Sequence, residues 1–289
     1  MQRQRAFDAA ARRWGSFFES SFVGETVHLT VSFDALTSDR YGVVAPIGIT
    51  LPDTRPGRPP IHARYPLGIA QHAVYRSQLP FPNDIQGDLV FNENYDLYLG
   101  VDGNPGSQTD FVTGAMHELG HVFGFASRIQ PDGTFEEDLP SLYDLGLENS
   151  AGARLVDLSP EERLAAATSG NGLFWDEPLA VAANGGKRPN LSAGRTFVEG
   201  QNVFHLSETF GFAEALMSPT LEPGEVIRRL TPVEAAMFED MGWNVSALAI
   251  IPEPSMFVLL AIGSTCLAAL RRLAVKSTSQ LKSLHFNAS

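Results

Sequence analysis

The chain of 289 residues is long enough for one large domain or two small ones with a sizeable core, and 44% hydrophobic with 19% charged residues is ordinary globular composition. A formal net charge of -12 argues against nucleic acid as a partner. Cys266 is the sole cysteine, so no intrachain disulfide can staple the fold.

Residues 1–22 lack the apolar core of roughly 7–15 residues that a signal peptide needs. Instead, Phe7, Ala10, Ala11, Trp14, Phe17 and Phe18 recur at helical spacing and predict an amphipathic helix over 7–18. Residues 27–33 alternate, with Val27, Leu29, Val31 and Phe33 on one face, which predicts a half-buried strand and makes His28 a solvated strand residue. The Val- and Ile-rich stretch 41–51 reads as a second strand, 52–60 as a Pro-rich loop, and 66–79 as a helix carrying His72. Neither His62 nor His72 is expected to touch metal. Residues 88–91 and 95–99 read as a strand and its continuation, and the sheet edge that would receive an extended peptide is expected there.

The stretch 111–125, FVTGAMHELGHVFGF, carries the chemistry. On a helix, residues four apart share a face, so His117 and His121 can offer two imidazole nitrogens to one metal ion, with Glu118 beside them as a base. Val112, Met116, Leu119 and Phe123 supply a core-facing stripe, with Thr113, His117, His121 and Gly124 on another face. Asp110 suits the N-cap, and Gly124 a left-handed exit. Gly114 and Gly120 each cost about 1 kcal/mol against alanine inside a helix, so substrate or another backbone is expected to approach closely there.

From 128 to 204 no histidine occurs, and this segment reads as an insertion with structure of its own. It has an acidic run at 136–138, a capping-box helix start at Ser159 and Glu162, and turns around 184–190. Thr231, Pro232 and Glu234 mark a second capping box, whose helix is striped by Val233, Met237 and Met241 and stopped by Gly242. A catalytic zinc takes three protein ligands and keeps a fourth position open. After His121 only His205 and His285 remain, and His285 lies beyond an apolar tail, so elimination favours His205. The rival ligands are the carboxylates Asp138, Asp144 and Glu148.

HELGHVFGF followed much later by ALMSP resembles the metzincin clan of zinc endopeptidases. Metzincins usually place the third histidine six residues after the second, where this chain has Ser127. The leishmanolysin-like branch instead inserts a segment before that histidine, and FHLSETFGFAEALMSPT matches its order. The resemblance spans 110–243 and includes a closing helix at LTPVEAAMFEDMGW, although that branch is typically cysteine-rich and this chain is not. It implies an α+β fold with a twisted N-terminal sheet, an active-site helix and a mostly helical or irregular C-terminal subdomain. It also implies Zn2+ on His117, His121 and His205, Glu118 as general base, Gly124 and Met217 as structural residues near the site, and a protein or peptide substrate. The alternatives are a catalytically weak surface or matrix protein that retains the fold, and a hydrolase of another bond, such as a deformylase.

Pro252-Glu253-Pro254 precedes an apolar run of about 15 residues, short of the roughly 20 that span a bilayer, and then Arg271-Arg272. This order resembles a PEP-CTERM sorting signal. The resemblance implies a hydrophobic C-terminal helix, transient inner-membrane association, processing by an exosortase-type enzyme, and export to the cell surface or beyond, with a start codon upstream of Met1. The expected organisation is therefore a catalytic domain over 1–250, a sorting or anchor segment over 251–272 and a basic tail over 273–289.

Overall fold

The structure, a computed structural model, describes residues 1–18, 27–36, 41–53, 61–67, 70 and 85–250. His72, most of the 66–79 helix, His285 and the whole tail 251–289 lie outside the described residues. Pro66 itself ends a strand.

Helix α1 (Gln2–Phe17) buries Ala6, Ala10, Trp14 and Phe17, the face that its spacing marks as apolar. Strands β1 (His28–Asp34), β2 (Gly42–Pro46) and β5 (Ile85–Asn92) form a sheet in the order β1-β5-β2, with β1 parallel and β2 antiparallel to β5. The expected edge over 88–91 is thus incorrect. Those residues sit in β5, paired on both sides, and β2 is an edge of this sheet among the described residues. A buried central strand and an edge strand carry the same apolar-rich pattern, so sequence does not separate them. The 41–51 pattern is broken at Ile47 into β2 and β3 (Gly48–Asp53), and β3 pairs with β4 (Ile61–Pro66) in a separate hairpin. The continuation over 95–99 is only β6 (Leu97–Tyr98), parallel to β7 (Thr109–Asp110). His28 lies in β1 opposite Ile85, and His62 in β4 opposite Pro52.

Helix α2 (Phe111–Val122) runs through the middle of the unit Met1–Ile250. It is buried on nearly every side, with only His117 half-exposed, rather than along one stripe. α1 packs against it and donates Trp14 Nε1–H to the Met116 carbonyl at 2.8 Å. Trp14, Phe123 and Phe238 meet in one aromatic cluster, tilted or edge-to-face, with ring centroids 5.0–5.1 Å from Trp14.

The segment 128–204 contains β8 (Leu147–Asn149), α3 (Pro160–Ala167), β9 (Leu173–Trp175) and α4 (Pro178–Ala183). Its Tyr143, Leu145, Leu155 and Trp175 belong to the same buried cluster as α2, so it is part of the core and not an appendage. Helix α5 (Pro232–Asp240) closes the unit, started by the Thr231/Glu234 capping box. The described residues therefore form an α+β fold, and among them no helix is long and apolar enough to cross a membrane.

Candidate metal centre

Asp110 starts α2 by accepting the Thr113 amide at 2.7 Å, and Arg228 holds its buried carboxylate at 2.7 Å. The other end closes in a Schellman turn: Gly124 N–H reaches the His121 carbonyl, Phe125 N–H reaches the Gly120 carbonyl, and Gly124 has φ +113°. That turn also aims the Phe125 carbonyl back at the His121 ring.

Each histidine points one nitrogen at a backbone carbonyl. His117 Nδ1 lies 2.7 Å from Leu216 O, His121 Nδ1 2.6 Å from Phe125 O, and His205 Nδ1 3.1 Å from Gln201 O. A carbonyl only accepts, so the ring proton sits on Nδ1 in all three and each Nε2 carries a lone pair. These three Nε2 atoms converge, with His121 and His205 respectively 3.1 and 3.2 Å from His117. Nitrogens bound roughly 2.0–2.1 Å from a tetrahedral zinc lie about 3.3–3.4 Å apart, so the spacing fits such an ion. Three lone pairs facing one another with no proton between them repel, and a cation at their centre removes that repulsion. Burial pushes all three imidazoles below their usual pKa, His121 to about 3, which keeps them neutral as ligands. Among the described residues these three side chains form a group able to hold a metal ion.

His205 reaches this point because the 128–204 segment builds its seat. Val203, buried and β-branched, has φ +75°, a conformation that costs such a residue about 1–2 kcal/mol. It is held there by Tyr143 O–H donating to its carbonyl at 2.9 Å and by its own N–H on Ser192 O at 2.7 Å. Ser192 N–H then returns to the His205 carbonyl at 2.8 Å. The rival carboxylates are engaged elsewhere. Asp144 accepts from Ser127 Oγ at 2.5 Å, Ser141 N at 2.7 Å, Ser141 Oγ at 2.8 Å and Arg128 N at 3.0 Å. Glu148 pairs with Arg188 at 2.9 Å, and Asp138 is exposed in a tight turn.

Met217 is fully buried beneath α2, and a Cβ placed on Gly120 would lie 2.4 Å from its sulfur. Gly114 is likewise covered by the Tyr41 ring, which leaves no room there for a Cβ. The neighbours that require these two glycines are thus side chains, not substrate or backbone. Glu118 is 7% exposed, and burial pushes its carboxyl up to about 8. Its Oε1 lies against Gly42 of β2, where an added Cβ would come within 2.8 Å.

The centre opens into a cleft of about 700 Å³, walled by residues 41–46 on one side and by 126–130, 198–201 and 216–221 on the others. Gly42 and the three carbonyl acceptors escape sequence reading, because no local pattern marks a residue whose role is set by a distant helix. No family model, no curated protein and no solved structure matches this chain.

Proposed function

We propose that the chain is a zinc-dependent endopeptidase of metzincin type, in the leishmanolysin-like branch, acting on protein or peptide substrates. The observation that carries this reading is the convergence of three unprotonated Nε2 atoms, each ring fixed from behind by a backbone carbonyl, beside a carboxylate that is not a ligand. Zinc held there supplies a Lewis acid that polarises a carbonyl and acidifies water. The chain's own residues do the rest. In its ionised form, which a dication held by the three histidines would favour against the burial that pushes its carboxyl up to about 8, Glu118 accepts the proton of the attacking water and returns it to the leaving amine nitrogen. The outer edge of β2 offers backbone groups to an extended peptide lying along the cleft. Met217 fills the floor under α2 and keeps the ligand-bearing turns seated.

The same reading takes residues 251–272 as a PEP-CTERM-like sorting signal, with an exosortase-type partner and a destination at the cell surface or outside the cell.

Metal analysis with casein cleavage tests the proposal. Purified protein should contain zinc and lose cleavage on chelation, whereas a panel of formylated peptides should not be deformylated. Glu118→Gln should keep its zinc while turnover falls by roughly 10²–10⁴-fold. A Glu118→Gln protein that cleaves at the wild-type rate, or cleavage indifferent to chelator, ends this reading.

A further inference from the structure

Two helices of this chain start with the same device, and one of them uses it for more than capping. In α3, Ser159 and Glu162 form a capping box whose glutamate is exposed to solvent. In α5, Thr231 and Glu234 form the same box, yet Glu234 is 0% exposed. Its Oε2 accepts Thr231 N at 2.7 Å and Thr231 Oγ1 at 2.8 Å, which completes the cap. Its Oε1 turns the other way and accepts Met217 N–H at 2.6 Å. A cap alone needs neither the burial nor a donor from a distant turn.

Met217 N–H and Leu216 C=O are the two ends of one peptide unit. Leu216 O is also the atom that takes the Nδ1 proton of His117, at 2.7 Å. A carboxylate, a peptide and an imidazole therefore stand in series. In its ionised form, which the Met217 and Thr231 donors favour against the burial that pushes its carboxyl up to about 7, Glu234 polarises the Leu216–Met217 peptide, makes Leu216 O a stronger acceptor, and so raises the electron density on His117 Nε2. A carboxylate bonded directly to a metal-binding histidine has this effect in one step; here a peptide relays it, and the same contacts fix the height of the turn beneath the centre.

We propose that Glu234 is a positioning residue for the metal centre, orienting His117 and strengthening it as a ligand through the Leu216–Met217 peptide. The inference rests on the metal-binding reading of the three histidines.

The test uses the full chain and Zn2+ alone, competed against a chromophoric chelator. Glu234→Gln cannot accept from both sets of donors, and its Zn2+ affinity should fall roughly tenfold to a hundredfold. Glu162→Gln, the matched change in the cap of α3, should leave affinity unaltered. In zinc-loaded protein labelled with 15N, the Nδ1–H resonance of His117 should move upfield in Glu234→Gln, while those of His121 and His205 stay in place. Should Glu234→Gln fail to fold, Glu234→Asp keeps the charge, shortens the reach by one methylene and should show the same loss. An affinity within about twofold of wild type together with an unmoved His117 resonance, in either folded variant, overturns the role of Glu234. Wild-type protein that binds no Zn2+ overturns the metal reading itself, and this inference with it.

Discussion

Tyr41 and Gly42 meet α2 as a large residue over a small one and a small residue over a large one. The Tyr41 ring fills the space left by Gly114, and its hydroxyl donates to the Phe111 carbonyl at 3.2 Å. One residue on, Gly42 leaves room for the Glu118 carboxylate, four positions along the same helix face. Adding a single methyl at Gly42 sets it 2.8 Å from Glu118 Oε1, 3.0 Å from Cδ and 3.2 Å from Cγ. Those atoms end a flexible side chain, so the carboxylate shifts and the backbone does not. On the peptidase reading proposed above, Gly42→Ala should keep its zinc and its melting behaviour but lose about tenfold to a hundredfold in kcat, since misplacing a reacting group by about 1 Å costs that much. Steady-state kinetics on casein peptides would measure it, and an unchanged kcat would remove Gly42 from the positioning of the base.

At the scale of elements, α2 is the part of the molecule most fully legible in sequence, because its signals are local: Asp110 at one end, Gly124 at the other, and two histidines four apart. The caps of α3 and α5 are legible for the same reason. The centre of the sheet is not, because the apolar run 89–91 reports burial and not which neighbours pair with it. His205 emerges by elimination, yet what excludes Asp144 is tertiary, namely its four donors from Ser127, Arg128 and Ser141. Ser127 donates its hydroxyl to Asp144 at 2.5 Å and so anchors the start of the segment that delivers His205. Asp144→Ala strands these buried donors and should lower the unfolding free energy by roughly 2–4 kcal/mol in urea titrations. Zinc bound per folded molecule should not change. If instead it lost zinc with its stability intact, the carboxylate would be the ligand and the assignment of His205 would fail.

Over the molecule as a whole, the centre ties distant parts of the chain together: His117 and His205 are 88 residues apart, and the segment between them is in the core. Binding at such a point is linked to folding, because the unfolded chain does not bring the three imidazoles together. A metal present at 100 times its Kd adds about 2.7 kcal/mol to the folded state. For a unit of this size each kcal/mol moves the transition by about 2–4 °C, so zinc should raise Tm by about 5–10 °C over chelator-treated protein. Met1–Ile250 contains every residue involved, so a chain ending at Ile250 should show the same zinc-dependent shift as the full chain. His205→Ala should abolish most of it, leaving two ligands on one helical turn and nothing to draw the far segment in. Calorimetry on the three proteins, each with and without zinc, decides the matter: equal transitions with and without zinc in the wild type would mean that the three histidines pack together for reasons unrelated to a metal.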